Sequence, residues 1–248
     1  MQELEQLLLS ELILTYPQLQ QLFELNRIDF CCNGKRTLSE AIKEKRFSAS
    51  QKEKLILALG QKIAKEREIN KSLLLESYSL KELTEFIIQK HHSFVVHESN
   101  EIKTLFKKVL NAHQENHPRL NEASELILKL LEELRLHLNK EESIVFPLIR
   151  YLEDCHRFKE RPHLKRYKPL QKYLESMESD HQNAGSLYDK LRNSLDNYQV
   201  PSDACTSYQL LLKKIDAFEK DLHMHIHLEN YVLFPKAIEL EKNLLTTY

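Results

Sequence analysis

The sequence predicts an all-α protein, a small helical N-terminal unit followed by an up-and-down four-helix bundle. Three observations predict it. Gly and Pro number only 3 and 7 among 248 residues. That is about 4% together, against roughly 12% in average usage, too few for the turns of a many-stranded sandwich or barrel. Apolar residues, Leu above all, recur at i, i+3 and i+4 over long stretches, the period of a one-sided helix. Finally, the strongest breaks fall at His117-Pro118, Arg161-Pro162 and Val200-Pro201, where the residue before Pro disfavours helix.

The first unit covers residues 1–70. Leu4, Leu7, Leu8 and Leu12 have helical spacing, and Pro17 suits a first helical position. Leu19, Leu22, Phe23 and Leu25 continue the apolar face. Asp29-Phe30-Cys31-Cys32-Asn33-Gly34-Lys35 breaks it, with Asn-Gly as turn chemistry. Thr37-Leu38-Ser39-Glu40 reopens a helix with capping-box spacing. Another helix covers about 48–67, and the polar stretch Glu66–Ser72 is the linker candidate.

The second unit, residues 79–240, holds four helical patterns near 80–113, 119–152, 169–197 and 203–240. Each is about 30 residues, or about 45 Å, and short connections make four of them a bundle. Ser202 or Asp203 is the expected cap of the last helix. The longest connection, 153–168, carries Arg157, Lys159, Arg161, Lys165, Arg166 and Lys168. This basic loop reads as a solvated face, with docking of an acidic client as the sharper alternative.

Composition bounds the partners. With 36 basic and 37 acidic residues, net charge −1, no global basic field exists to hold nucleic acid or an anionic membrane. No apolar run approaches the ~18 residues of a membrane span. The N-terminus has Glu3 and Glu5 and no basic flank, unlike a signal peptide. Four Cys, two of them adjacent, make no secreted disulfide framework. A cytoplasmic protein is expected. The first unit is small enough to need a partner surface, so a homodimer is a candidate arrangement.

The chemistry lies in a repeat. His137-x-x-x-Glu141 runs on to Phe146-Pro147, and His225-x-x-x-Glu229 to Phe234-Pro235, 88 residues later. His92 and His181 precede the two copies by 45 and 44 residues. Residues i and i+4 stack on one helix face, so each His-Glu pair can aim at one spot. Apolar neighbours put that spot inside. Leu130, Leu134, Ile144 and Leu148 share the stripe of His137, and Phe218, Leu222 and Val232 that of His225. Ile88, Val95, Val96 and Ile102 flank His92, while Leu174, Met177, Ala184 and Tyr188 flank His181. Two buried carboxylates without partners would cost many kcal/mol, and two cations would remove that penalty. Four imidazoles and two bridging carboxylates suit iron, with manganese or zinc as alternatives, and leave coordination positions open. Asp180 and Asp221 are candidate acceptors for the outer ring nitrogens.

A lone inward His is more often a satisfied core residue than a ligand. The duplicated spacing outweighs that reading for four of the 12 His. His91, His97, His113, His117, His156 and His163 are expected mostly in solvent. His223 and His227 are read as a surface pair, and Glu142 as exposed. Cys155 and Cys205 read as incidental.

These motifs resemble a known family. Residues 79–240 look like a hemerythrin-like domain. The first unit, through Pro17 to Phe23 and Asp29-Phe30-Cys31-Cys32-x-Gly34-Lys35-x-Thr37-Leu38, is similar to the small domain of repair-of-iron-centres (RIC, ScdA-type) proteins. Met177 to His181 and Ala204-Cys205-Thr206 extend the likeness. The resemblance implies two iron ions, carboxylate- and oxo-bridged, on His92, His137, Glu141, His181, His225 and Glu229. It implies a repair factor for iron–sulfur proteins damaged by nitric oxide or peroxide, supplying iron, rather than a turnover enzyme. Oxygen or nitric oxide binding or sensing, and a nitric oxide reductase or peroxidase activity, are the other readings. Cys31 and Cys32 are either redox-active or iron- or NO-binding, or they simply pack a turn. The chain departs from the family at Asn33, where Gly is usual, and at Asp180, where Glu is usual; the segment around His91 and His92 lacks the closer His spacing.

Overall fold

The computed structural model describes residues 2–67, 77–163 and 169–247. Short helices α1 (Gln2–Gln6), α2 (Leu9–Thr15), α3 (Gln20–Leu25) and α4 (Leu38–Glu44) precede the longer α5 (Ala49–Arg67). Pro17 opens a 3₁₀ turn, Pro17–Leu19. Thr37 caps α4 as its spacing predicts. Its Oγ1 accepts from the Glu40 N–H at 3.2 Å, and Glu40 Oε2 accepts from the Thr37 N–H at 2.7 Å. The apolar stripe is interrupted between α1 and α2, which leaves Leu7 on the surface, and Leu25 is also exposed. Among the described residues the extended pairing is one isolated bridge, Leu8 to Thr37.

The bundle follows. Its first helix joins α6 (Leu80–Ile87) to α7 (Ser93–His113) through a π turn, Ile88–His92. The second joins α8 (Arg119–Lys140) to α9 (Phe146–Phe158) through Glu141–Val145. The third is unbroken, α10 (Leu170–Ser194). The fourth joins α11 (Thr206–Leu228) to α12 (Phe234–Thr247) through Glu229–Leu233. Helix α8 packs on α10 and α7, α7 on α11, and α9 on α12 and α6. Ser79 caps α6 in a capping box with Glu82. The residue preceding α11 is Cys205, not the Ser202 or Asp203 that the sequence suggests. Cys155 lies buried in α9, not in a loop. Among the described residues, no helix is long and apolar enough to cross a membrane.

The π turns correct the predicted stripes. Each admits one extra residue, which rotates everything downstream by about 100°. Val145, Phe146 and Ile149 therefore face the core, and Ile144 is exposed. After Ile88–His92, Val95 is buried and Val96 exposed. Within that turn His91 and His92 are both buried, although a regular helix would separate them.

The N-terminal unit rests on the last bundle helix, and its apolar residues share one core cluster with that of the bundle. The surface it needs is supplied by α11 and the π turn that follows. Gln20 Nε2 donates to the Lys220 carbonyl at 2.6 Å, and His223 Nδ1 lies 2.7 Å from Glu24 Oε1. Phe30 packs edge-on against His227, whose Nδ1 faces the Phe30 carbonyl at 3.4 Å. Asn230 Nδ2 donates to the Cys31 carbonyl at 3.1 Å, and the Gly34 N–H donates to the Tyr231 hydroxyl at 2.6 Å. His227 is thus fully buried, not a surface residue. Of the linker candidate, Glu66 and Arg67 end α5 and the remainder lies outside the described residues. So do Lys165, Arg166 and Lys168 of the basic loop; Arg157 there pairs with Asp154 at 3.0 Å.

Two outcomes test this docking. A Cβ at Gly34 would stand 2.4 Å from the Phe30 carbonyl oxygen and 2.8 Å from the Tyr231 ring. Gly34→Ala is expected to lower stability by about 1–3 kcal/mol in urea unfolding; an unchanged midpoint contradicts the close approach. His223 supplies the pH test. Burial alone would lower its pKa, but Glu24 and then Glu219 lift it to about 9. A pKa raised on folding stabilises fully below the unfolded value of about 6.5 and is lost as pH rises through about 9. The stability advantage of wild type over His223→Gln should therefore be larger at pH 6 than at pH 9.5. An advantage that grows with pH would refute the pairing.

Candidate metal centre

The six residues of the repeat meet inside the bundle. His92 comes from the first π turn, His137 from the end of α8, His181 from α10 and His225 from α11. Glu141 and Glu229 are each the first residue of a π turn. All six are buried, both Glu and His225 at 0% exposure.

The donors fall into two groups that share both carboxylates. One holds His92, His225, Glu141 and Glu229, the other His137, His181 and the same two Glu, with all donor atoms of a group within 4.8 Å of one another. Glu141 presents Oε2 to His92 Nε2 at 3.4 Å and Oε1 to His137 Nε2 at 3.1 Å. Glu229 presents Oε1 to His225 Nε2 at 3.0 Å and Oε2 to His181 Nε2 at 3.1 Å. Each carboxylate thus turns one oxygen to each group.

The donor set fits cations. The buried atoms left without a hydrogen-bond partner include both oxygens of Glu141, Oε2 of Glu229 and Nε2 of His92. Orphaned buried acceptors cost ~1–3 kcal/mol each, and more when charged. Here they all face the shared centre. His137 Nε2 and His181 Nε2 also face each other at 3.2 Å, an approach suited to two ligands on one ion.

Three imidazoles are held from behind. His137 Nδ1 is 3.3 Å from Asp180 Oδ2, as expected for Asp180. His92 Nδ1 is 2.8 Å from Glu142 Oε1, and His181 Nδ1 is 3.1 Å from Asn230 Oδ1. Sequence reasoning missed the last two. Glu142 is as exposed as expected, yet its carboxylate fixes His92. Asn230 follows Glu229 directly, and that adjacency was the available signal. Asp221, the other candidate, bonds His91 instead, Nδ1 to Oδ1 at 3.0 Å. His91 is buried rather than solvated and stacks on the His225 ring, centroids 5.7 Å apart.

The charges are mutually adjusted. Burial alone would lower the His137 pKa, but the Glu141 charge and the Asp180 bond lift it to about 10. Burial would push the Glu229 carboxyl up, and the His225 charge with the His181 and His225 bonds holds it well below the usual range. The His137 bond likewise lowers Asp180. Cation binding must displace the proton from His137, so affinity weakens as pH is lowered.

The Cys turn sits beside this centre. Asp29 Oδ1 accepts from the N–H groups of Cys31 at 3.1 Å and Cys32 at 2.9 Å, and Asn33 Nδ2 donates to Asp29 Oδ2 at 2.6 Å. The two sulfurs are 3.9 Å apart and unbonded. Cys31 is buried, its thiol pushed well up by the Cys32 contact and by burial. Cys32 is half-buried and lines a surface cleft with Lys35, Glu178, Gln182, Asn230 and Tyr231. Asn230 thus touches both the Cys31 carbonyl and the His181 ring. A second cleft reaches His137 and His181, and a third reaches His92.

A four-helix bundle that aims inward imidazoles and shared carboxylates at one buried spot defines a class, the hemerythrin-like cation-binding bundles. The comparisons agree. Residues 84–237 match the Hemerythrin HHE cation binding domain, and residues 6–59 match the ScdA N-terminal domain, a domain of unknown function. The chain belongs to the hemerythrin HHE family, in the ScdA-type arrangement that joins these two domains. Among its relatives is the probable iron-sulfur cluster repair protein of Haemophilus influenzae, 31% identical over 93% of this chain and 96% of that protein. The iron-sulfur cluster repair protein YtfE of Escherichia coli O8 is 32% identical over the same shares, and that of Musicola paradisiaca 28% identical over 94% and 96%.

Removing an outer partner of a metal-bound His costs about 10–100-fold in affinity. Glu142→Ala should weaken cation binding by that factor in a chelator competition, while Ser143→Ala, its exposed neighbour, should not. Equal affinities in the two variants would deny Glu142 its role.

Proposed function

We propose that this protein is a non-haem di-iron protein that serves the repair of iron–sulfur clusters damaged by nitrosative or oxidative stress, with its iron as the material supplied. The observation that carries this reading is the pair of donor groups sharing Glu141 and Glu229. Imidazole and carboxylate donors suit iron, and four His with two shared carboxylates leave octahedral positions free. The names of the relatives at about 30% identity support repair as the process. The free, unbonded Cys31 and Cys32 accord with a reducing cytoplasm.

In this reading His92 and His225 would hold one ion and His137 and His181 the other, with Glu141 and Glu229 shared between them. Bound iron would supply redox chemistry and open positions for small ligands. The chain's own residues govern release. With the site empty, His137 would hold a proton, because Glu141 and Asp180 favour its charged form. That proton keeps the vacated carboxylates compensated. Asp180, Glu142 and Asn230 hold their rings in place meanwhile. Cys32, the more accessible thiol, lies on the cleft beside Asn230 and is the proposed receiving group for iron or nitric oxide.

Iron analysis with Mössbauer spectroscopy should find about two ions per chain, with a double variant His225→Ala, Glu229→Ala losing both. Fewer than about one would reject the dinuclear centre. Donation is tested with isotopically labelled iron in the protein and an iron–sulfur client damaged by nitric oxide. The label should appear in the restored cluster, and Cys32→Ser should slow its transfer without lowering the iron first bound. A client that recovers while the label stays in the bundle rules donation out. Sustained loss of nitric oxide without any client points instead to the reductase reading.

A further inference from the structure

We propose a second cation site at the far end of the bundle, formed by His113, His117, Asp203 and Cys205, that takes a single Zn²⁺. His113 lies 21 residues along the first helix from His92, about 30 Å away at 1.5 Å per residue. It is separate from the centre described above and does not rest on the function proposed for it.

The four residues come from two loops that the bundle brings together. His113 ends α7 and His117 closes the turn after it; Asp203 and Cys205 lie in the connection to α11. His117 Nε2 is 3.0 Å from both Oδ1 and Oδ2 of Asp203. The donor atoms of His113, His117 and Asp203 all lie within 4.8 Å of one another. Cys205, free and exposed, stands two residues after Asp203 at the start of α11, beside this cluster. Beneath them the Tyr208 ring packs on both imidazoles, with centroids 5.3 and 5.7 Å away. The rings are thus fixed in place while their nitrogens turn outward to the two loop residues.

The chemistry selects the ion. Two imidazoles, a carboxylate and a thiolate make a tetrahedral set for Zn²⁺ and a poor one for Mg²⁺ or Ca²⁺. Zn–N and Zn–O bonds of about 2.0–2.1 Å give tetrahedral edges of about 3.3 Å. The observed edge of 3.0 Å between His117 and Asp203 is a few tenths of an ångström short of that, so these donors stand close to the ligand spacing, and Cys205 would turn in as the fourth. The thiolate is the ligating form. The nearby His113, then the N–H groups of Tyr208 and Ser207 at the start of α11, lower the Cys205 thiol below its usual range. The alternative is a plain surface His–Asp pair, which involves neither His113 nor the thiol. Bound zinc would clip the two loops together.

The test uses the full-length protein with its bundle centre loaded with iron. One equivalent of Zn²⁺ should protect Cys205 from iodoacetamide at least tenfold, read by mass spectrometry of the peptide that carries it. His117→Ala should abolish this protection while leaving circular dichroism and iron content unchanged. Co²⁺ as a probe should give a thiolate charge-transfer band that is lost in Cys205→Ser. Unprotected Cys205 in wild type, protection that survives in His117→Ala, or a band that survives in Cys205→Ser would each overturn the proposal.

Discussion

Two buried negative charges organise this molecule. Glu141 and Glu229 lie in the bundle interior at 0% exposure, and each divides its oxygens between the two donor groups. An uncompensated carboxylate in such a place costs several kcal/mol even after relaxation. Everything nearest to them is cationic, protonatable or a donor: four imidazoles in contact, and Asp180, Glu142 and Asn230 polarising three of those imidazoles from behind. Such a centre is stable either as a protonated cluster or with cations in it. The step between the two exchanges protons for metal, and His137, lifted to about 10, is an imidazole that must give up its proton in that exchange.

The π turns serve the same constraint. Three of the four bundle helices widen by one residue where they pass the centre, two of them beginning on Glu141 and Glu229. In a uniform α-helix the next inward position after Glu229 falls three or four residues on. The π turn instead lets Asn230 reach the His181 ring, and lets His91 and His92 both turn inward. Widened turns are uncommon because their packing is poor. Three of them around one spot mark where helix regularity was given up for donor geometry.

This explains what the sequence disclosed and what it hid. The fold was legible because scarce Gly, Leu periodicity and three Pro breaks all act locally. Four of the six central residues were legible for a related reason. His137 with Glu141 and His225 with Glu229 sit one turn apart on single helices, and duplication made the pattern stand out. His92 and His181 rested on spacing between helices and on resemblance. Glu142 and Asn230 were hidden because each serves an imidazole of another helix, a relation no periodicity encodes. The misplaced stripe residues Ile144 and Val96 have one cause, a change of helix phase without a Gly or Pro to announce it. His91, His223 and His227 were misjudged because their polar partners, Asp221, Glu24 and the Phe30 carbonyl, are specified by tertiary packing.

The same packing joins the Cys turn to the centre at very short range. Three consecutive residues do it: Glu229 gives an oxygen to each donor group, Asn230 spans His181 and the Cys31 carbonyl, and Tyr231 receives the Gly34 N–H. They share one π turn, so none moves alone. Each hydrogen bond is worth about 0.5–1.5 kcal/mol net, enough to bias a local rearrangement and too little to freeze it. Linkage then fixes the sign of the relation. Whatever free energy cation binding contributes to the order of the Cys turn, the ordered turn returns to cation affinity by the same factor. A partner that pulled on Cys31 or Cys32 would loosen Asn230 from His181 and so disturb an imidazole of the donor cluster. The N-terminal unit is therefore placed where contact with a client can be felt at the centre through a single asparagine.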